Sequence, residues 1–301
     1  MIRAVISIGT NSTRALVADV SAGSGRPLLQ RSIGTRIGEG LKESGRLGAE
    51  PMKRTLDAIE QHAAAIRQFT GEVFVIATSA IRRADNAREF GRRVREIVHA
   101  DLQIVSGEDE ARYSFEGALS GLDASPHERF GVADPGGGST EYAIGSKGKA
   151  PERAVSCETG AVRLTEAVPV LAGDRGEIDD DAVERARAIV LEATDPISQF
   201  ERADRLVFVG GTASSTVSLL QGTREPFAYG EFSLEEVERV IAQLRALDLP
   251  ARKLLPAMNP QRADILLGGL IVIAIVFERT GHNRAVVSTN DLLMGYLISR
   301  P

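Results

Sequence analysis

Two short stretches with the same grammar limit what this chain can fold into. Residues 7–16 read SIGTNSTRAL and residues 134–143 read DPGGGSTEYA. Set over one another without gaps, Gly9 falls on Gly136, Ser12 on Ser139 and Thr13 on Thr140. Each stretch follows an apolar run, IRAVISIG at 2–9 and FGVAD at 130–134, and each leads into a second strand-like run. A strand, a glycine turn and a strand, met twice, point to two half-molecules of similar build. Two such hairpins facing each other enclose a cleft.

The rest of the pattern is alternating. Branched apolar runs at 28–38, 72–78, 102–107, 153–159, 205–211 and 285–289 read as strands. Helical spacing is seen at 51–69, 86–100, 108–122, 160–169, 179–197, 212–220, 260–279 and 291–299. The run SLEEVERVIAQLRAL (233–247) opens on a serine with a glutamate three residues on, the capping-box pattern. Strands alternating with helices in both halves predict an α/β protein. The polar, turn-rich DASPHER (123–129) is the best boundary, giving domains over 1–122 and 131–301 with a linker at about 123–130. The last helix is free to pack back on the first domain.

Composition removes several function classes. A formal net charge of -5 argues against a general DNA-binding protein. The single cysteine, Cys157, allows no internal disulfide and suits a reducing cytoplasm. The apolar run at 266–277 is shorter than a membrane span, and MIRAVISIG is too short for a secretory leader. The histidines at 62, 99, 127 and 282 have no metal-ligand spacing.

The turns carry the chemistry. Glycine lets backbone N–H groups approach an anion with no Cβ in the way, and Ser12, Thr13, Ser139 and Thr140 add hydroxyls. Two such loops can grip a phosphate chain from both sides. Asp134, at a strand end, suits a magnesium ion. TSAIRRADN (78–86) offers Arg82 and Arg83 to phosphate oxygens. VSGEDEA (105–111) crowds Glu108, Asp109 and Glu110 into one helical turn, a source for a base that activates water. VGGT (209–212) brings Gly211 and Thr212 to a helix start able to hold a phosphate or nucleotide group. No GxxxxGK[ST] run is present, which argues against a P-loop nucleotidase.

Taken in order, IGTNSTRAL, ATSAIRRADN, VSGEDEA, DPGGGSTE, TGAVRLTE, VGGT and NPQRADILLGG resemble the exopolyphosphatase / guanosine pentaphosphate phosphatase (Ppx/GppA) family. The resemblance implies two ribonuclease-H-like (actin-like ATPase) domains with mixed sheets flanking a central cleft. It implies Mg²⁺-dependent hydrolysis of a phosphoanhydride, with Mn²⁺ as an alternative ion. The implied substrate is an anionic phosphate chain or nucleotide: the end of inorganic polyphosphate, or the 5′ γ-phosphate of guanosine pentaphosphate. By position, Gly9, Thr10, Asn11, Ser12 and Arg14 resemble the first phosphate loop, and Gly136, Gly137, Gly138, Ser139 and Thr140 the second. Arg82 and Arg262 resemble phosphate-contacting arginines, Asp134 the metal carboxylate and Glu141 the catalytic-site glutamate. Asp109 matches the family's water-activating glutamate, with Glu110 beside it. A cytoplasmic homodimer without a membrane anchor fits the family.

The chain departs from the family at three places. Ser7 stands where the first loop usually begins with aspartate, Pro135 replaces an isoleucine, and Leu293-Met294 replaces an Arg-Glu pair. These leave open a catalytically weakened sensor of polyphosphate or nucleotide, and an ATPase or kinase of the same superfold. The length resembles the family's short form, from which a preference for short chains is expected.

Overall fold

In the computed structural model, residues 1–21, 23–125, 127–174 and 176–300 are described. The expected linker at 123–130 contains Pro126, which lies outside them. The first sheet takes β1 (Ile2–Ile8), β2 (Ser12–Ser21), β3 (Ser24–Gly34), β4 (Val73–Ala77) and β5 (Leu102–Ile104) in the order β3-β2-β1-β4-β5. The second takes β6 (Arg129–Pro135), β7 (Thr140–Ser146), β8 (Arg153–Cys157), β9 (Arg205–Phe208), β10 (Tyr229–Ser233) and β11 (Arg284–Ser288) in the order β10-β11-β9-β6-β7-β8. Both begin with an antiparallel meander of three strands, and both then add two parallel strands on the far side of the first. The echo between residues 7–16 and 134–143 is therefore an echo of topology. It reaches single hydrogen bonds: Gly9 N donates to Ser12 O and Gly136 N to Ser139 O, each at 3.0 Å.

β1 is buried at every residue after Ile2, as befits a central strand covered on both faces. Outside the first sheet lie α2 (Ala49–Ile66) and α4 (Ala87–Val98), after the short α1 (Leu41–Ser44) and α3 (Ser79–Arg83). The other face is covered by α12 (Leu292–Ile298), the last helix, whose Leu292, Leu293, Met294 and Leu297 pack with Val5, Leu16 and Ile76. The second sheet is treated in reverse. Its outer face carries α7 (Asp180–Ala193), α9 (Leu234–Arg245) and α11 (Leu266–Thr280), apolar up to Phe277, with α6 (Ala161–Ala167), α8 (Gly210–Gln221) and α10 (Leu249–Lys253) around them. Its inner face is covered by α5 (Gly107–Leu119), which follows the first sheet in sequence. The two central helices thus cross over, each capping the sheet of the other half.

Where α5 and α12 meet, glycine is required. A Cβ on Gly117 would strike Asp291 O and Gly295 N, and one on Gly295 would strike Tyr113 O. This close approach brings the first turns of both helices to the mouth of the cleft. The capping box at Ser233 and Glu236 forms as the spacing predicts. The expected helix over 260–279 starts later, at Leu266, because residues 259–265 form a turn in which Arg262 N donates to Asn259 O. The strand β10 and the short helices α1, α3 and α10 have too few residues to show a period.

Candidate active site

The two hairpin turns approach each other at the edge where the sheets meet, around a cavity of about 90 Å³. Its walls are made by Gly9, Thr10, Asn11, Ser12 and Arg14 from one side and by Gly136, Gly137, Gly138, Ser139 and Glu141 from the other. Glu110, Asp134, Gly211, Thr212 and Arg262 complete it, with Ser7 and Ser79. An adjoining cavity of about 340 Å³ shares Arg14, Gly211 and Arg262 and runs on to Arg31, Ser214, Ser215, Asn259 and Met294.

The turns are braced by their carbonyls. Thr10 O accepts from Gly38 N (3.2 Å) and Asn11 O from Thr35 N and Arg36 N (3.0 and 2.9 Å). In the second turn, Gly136 O accepts from Ala161 N (2.9 Å), and Gly137 O from Val162 N and Arg163 N (2.9 and 3.1 Å). With carbonyls tied outward, the amides face in. Among the described residues nothing accepts a backbone hydrogen bond from the amides of Thr10, Asn11, Gly137, Gly138 or Ser139. Successive amides freed in this way form an anion-binding concavity. One buried hydroxyl adds a donor to it: Ser79 Oγ has no hydrogen-bond partner among the described residues, and neither has Asn11 Oδ1, an acceptor suited to a donor or a cation. Buried polar atoms are rarely left unpaired, so such atoms at a cavity wall mark a place for a ligand. Ser79 escapes sequence reading because its neighbours Arg82 and Arg83 carry the obvious charge.

The opposite wall is acidic. Glu141 is 3% exposed and accepts from Ser156 Oγ at 2.7 Å. Burial, then the nearby charges of Glu110 and Asp134, hold its carboxyl well above the usual carboxylate range. Glu110, also buried, pairs with Arg82, yet burial still pushes it up to about 7. Asp134 accepts from Ser114 Oγ at 2.9 Å and is pushed up to about 6 by burial and by Asp291. A side chain at Gly210 is barred twice: its φ is 83°, and its Cβ would lie 2.5 Å from Asp134 Oδ1.

Four sequence expectations need correction. Asp109 is not at the cavity. It is half-exposed, receives a hydrogen bond from Ser106 Oγ at 2.9 Å and pairs with Arg112 at 2.8 Å. The helical turn brings Glu110 inward instead. Thr140 faces away: strand alternation sends Ser139 and Glu141 to the cleft and Thr140 into the sheet, where its hydroxyl donates to Thr159 O at 2.7 Å. Thr13, its counterpart, likewise bonds Thr35 at 3.1 Å. Arg82 does not line the cavity but holds Glu110 and donates to Val105 O at 2.7 Å. Thr212 reaches the wall with its hydroxyl committed to Pro135 O at 3.0 Å.

Arg262 lies against the start of α8, where a Cβ on Gly211 would collide with its guanidinium. Burial and the neighbouring Arg14 lower it to about 10. Among the described residues it has no carboxylate partner, so it is a cation facing an anion's place.

For a metal ion, no group of three or more His, Cys, Asp or Glu side chains among the described residues is arranged to hold one. That excludes an all-protein cage there, and it suits magnesium, which keeps water and substrate oxygens and takes one or two carboxylates. Asp134, buried beside a second carboxylate, is a hard-oxygen donor of this kind. The residues fit the ion.

The profile of the Ppx/GppA phosphatase family matches residues 16–296. Exopolyphosphatase 2 of Mycobacterium tuberculosis is 32% identical, with 98% of this chain and 97% of that protein covered. Among solved structures, an exopolyphosphatase-like protein superposes with a TM-score of 0.88 at 26% identity, covering 99% of this chain and 96% of the other. The Aquifex aeolicus Ppx/GppA family member gives 0.80 at 26% identity, covering 99% and 97%. The architecture is the actin-like pair of ribonuclease-H-like domains around a cleft. By sequence and by fold, the chain belongs to the Ppx/GppA phosphatase family.

Proposed function

We propose that the protein is a Mg²⁺-dependent phosphohydrolase that removes the terminal phosphate of a phosphate chain, inorganic polyphosphate or guanosine pentaphosphate. The observation that carries this reading is a floor of unpaired amides and hydroxyls facing a wall of buried carboxylates across one small cavity. The floor binds anions and the wall accepts protons.

The terminal phosphoryl group sits on the amides of both turns, with the Ser79 hydroxyl and the Asn11 amide as further contacts. Arg14 and Arg262 take the next phosphate, and the rest of the chain runs into the adjoining 340 Å³ cavity. Magnesium or manganese, held by Asp134 and substrate oxygens, would offset phosphate charge and polarise phosphorus. Glu110 and Glu141 hold the attacking water from the acidic wall. A carboxyl raised to about 7 is a base poised at working pH, and Glu110 takes the proton. Arg82 keeps that carboxylate aimed. Positioning and electrostatics supply most of the rate in such a transfer.

The test is phosphate release with Mg²⁺, and in parallel Mn²⁺, from short polyphosphate, long polyphosphate, guanosine pentaphosphate and ATP. Glu141→Ala serves as the blank. Release that vanishes in the blank supports the reading, and the fastest substrate names the class. Release from none of the four overturns it in favour of a binding protein, and transfer to an acceptor without free phosphate makes it a kinase.

A further inference from the structure

The internal repeat contains one mismatch of charge. In the second hairpin Asp134 is paired across the strands with Glu141. At the same places in the first hairpin stand Ser7 and Arg14, directly opposite one another. Both line the catalytic cavity. The first hairpin therefore delivers a guanidinium to the cleft and no carboxylate to hold it.

The carboxylate comes from elsewhere. Asp291, at the start of α12, pairs with Arg14 through Oδ2. Its other oxygen accepts from Leu293 N at 3.1 Å and caps the helix. Asp291 is 5% exposed, so both oxygens are fixed in a buried place. The bond joins β2 to a helix that follows the second sheet. It is made possible by the glycine contact between α5 and α12, which sets where the start of α12 lies. An unpaired arginine here would repel Arg262, which faces the same cavity without a carboxylate of its own.

We propose that Asp291 is a positioning residue for the phosphoryl-transfer reaction: it holds the Arg14 guanidinium against the cavity in the way a carboxylate at position 7 would. The proposal rests on the phosphohydrolase reading. It assigns Asp291 no contact with substrate. Its effect passes through Arg14.

The test separates this role from helix capping. Asp291→Asn keeps an oxygen for Leu293 N and a good capping residue, and removes the charge that holds Arg14. Arg14 then loses its anchor and leaves the phosphate it binds. The expected result is a fall in kcat/KM of about 10- to 100-fold at an unchanged melting temperature. The double variant Ser7→Asp/Asp291→Asn returns a carboxylate opposite Arg14 and should recover kcat/KM to within about fivefold of the parent. A purely structural role predicts a lower melting temperature and no rescue, and either that pattern or a kcat/KM within twofold in Asp291→Asn overturns the proposal.

A second readout does not depend on turnover. Crystal structures of the two variants should show Arg14 turned from the cavity in Asp291→Asn and returned in the double variant. Arg14 unmoved in Asp291→Asn overturns the proposal even with an inactive parent. A parent that releases no phosphate from any of the four substrates overturns the functional reading, and the structures then decide the role of Asp291 alone.

Discussion

The two hairpins share a backbone and differ in the charges they carry. The first turn carries side chains, Thr10 and Asn11, where the second has Gly137 and Gly138. The reason lies in how they meet. A Cβ on Gly137 would sit 3.3 Å from Thr10 Cβ and 3.4 Å from Asn11 Cβ, and one on Gly138 would sit 2.6 Å from Thr10 Oγ1. The second turn is bare because the first is not. The strands differ in charge as well: Ser7 and Arg14 in the first, Asp134 and Glu141 in the second. A duplicated scaffold carries a serine opposite a guanidinium in one copy and two carboxylates opposite one another in the other.

If that division holds, the largest loss must come from the second hairpin. Glu141→Ala should lower kcat by about 10³-fold while leaving binding of a non-hydrolysable phosphate chain within about threefold of the parent. Phosphate release in single turnover, with calorimetric titration beside it, measures both. A variant that binds poorly and turns over normally would reverse the roles given to the two hairpins.

The next effect tests the contact between the turns. Gly138→Ala drives a methyl group into Thr10 Oγ1 and Ser79 Oγ, 2.6 and 2.9 Å away, and should cost about 100-fold in kcat/KM by shifting the floor of the site. Gly9→Ala meets only Ser12 O at 3.2 Å and should cost less than about tenfold. Combining Gly138→Ala with Thr10→Ala should cost less than the two single losses together, since both act at one contact. Simple additivity would mean that the turns do not interlock.

Much of this was legible in the sequence, and the gaps have physical causes. The echo of 7–16 in 134–143 was readable because a glycine turn between strands needs the same residue types each time. It predicted a shared topology that the two sheets have. Residue facing was readable in principle from strand alternation, yet Thr13 and Thr140 looked like phosphate ligands because hydroxyls beside glycines suggest one. Asp109 and Glu110 are adjacent on a helix, so choosing between them required the angle at which α5 enters the cleft. Sequence fixes no such angle. Ser79 was hidden beside the charged Arg82 and Arg83, and Asp291 was missed because its partner Arg14 is far away in the chain. The turn at 259–265 read as helix because its apolar and charged residues continue the spacing of α11.

The acid limb of the reaction should belong to the second hairpin and α5, since the first hairpin brings no carboxylate to the cavity. With Glu110 raised to about 7 and Glu141 raised with it, the pair titrates together, and kcat should fall about tenfold per unit below pH 7. Stability runs the other way. A carboxyl whose folded pKa lies above its unfolded value of 4.5 stabilises the fold fully below about pH 4.5, and that contribution is lost as pH rises through about 7. Parallel pH profiles of kcat and melting temperature should therefore slope in opposite directions between about pH 5 and 7. In Glu110→Gln both slopes should flatten.

The smallest effect concerns the residues that the two hairpins use alike. Thr13 and Thr140 occupy the same place in the repeat, and both turn their hydroxyls into the fold, to Thr35 at 3.1 Å and to Thr159 O at 2.7 Å. Valine matches threonine in shape and removes only the hydroxyl. Thr140→Val leaves Thr159 O without that donor and should destabilise by about 1–2 kcal/mol. Thr13→Val should cost less, about 1 kcal/mol, because its partner Thr35 is another hydroxyl that can rotate. Neither should change kcat or KM more than about twofold, since neither hydroxyl reaches the cavity. Urea denaturation and initial rates separate the two quantities. A rise of tenfold in KM for Thr140→Val at unchanged stability would place that hydroxyl on the substrate after all. The symmetry of the hairpins would then end at the backbone, with the outward-facing positions as divided in role as Arg14 and Glu141.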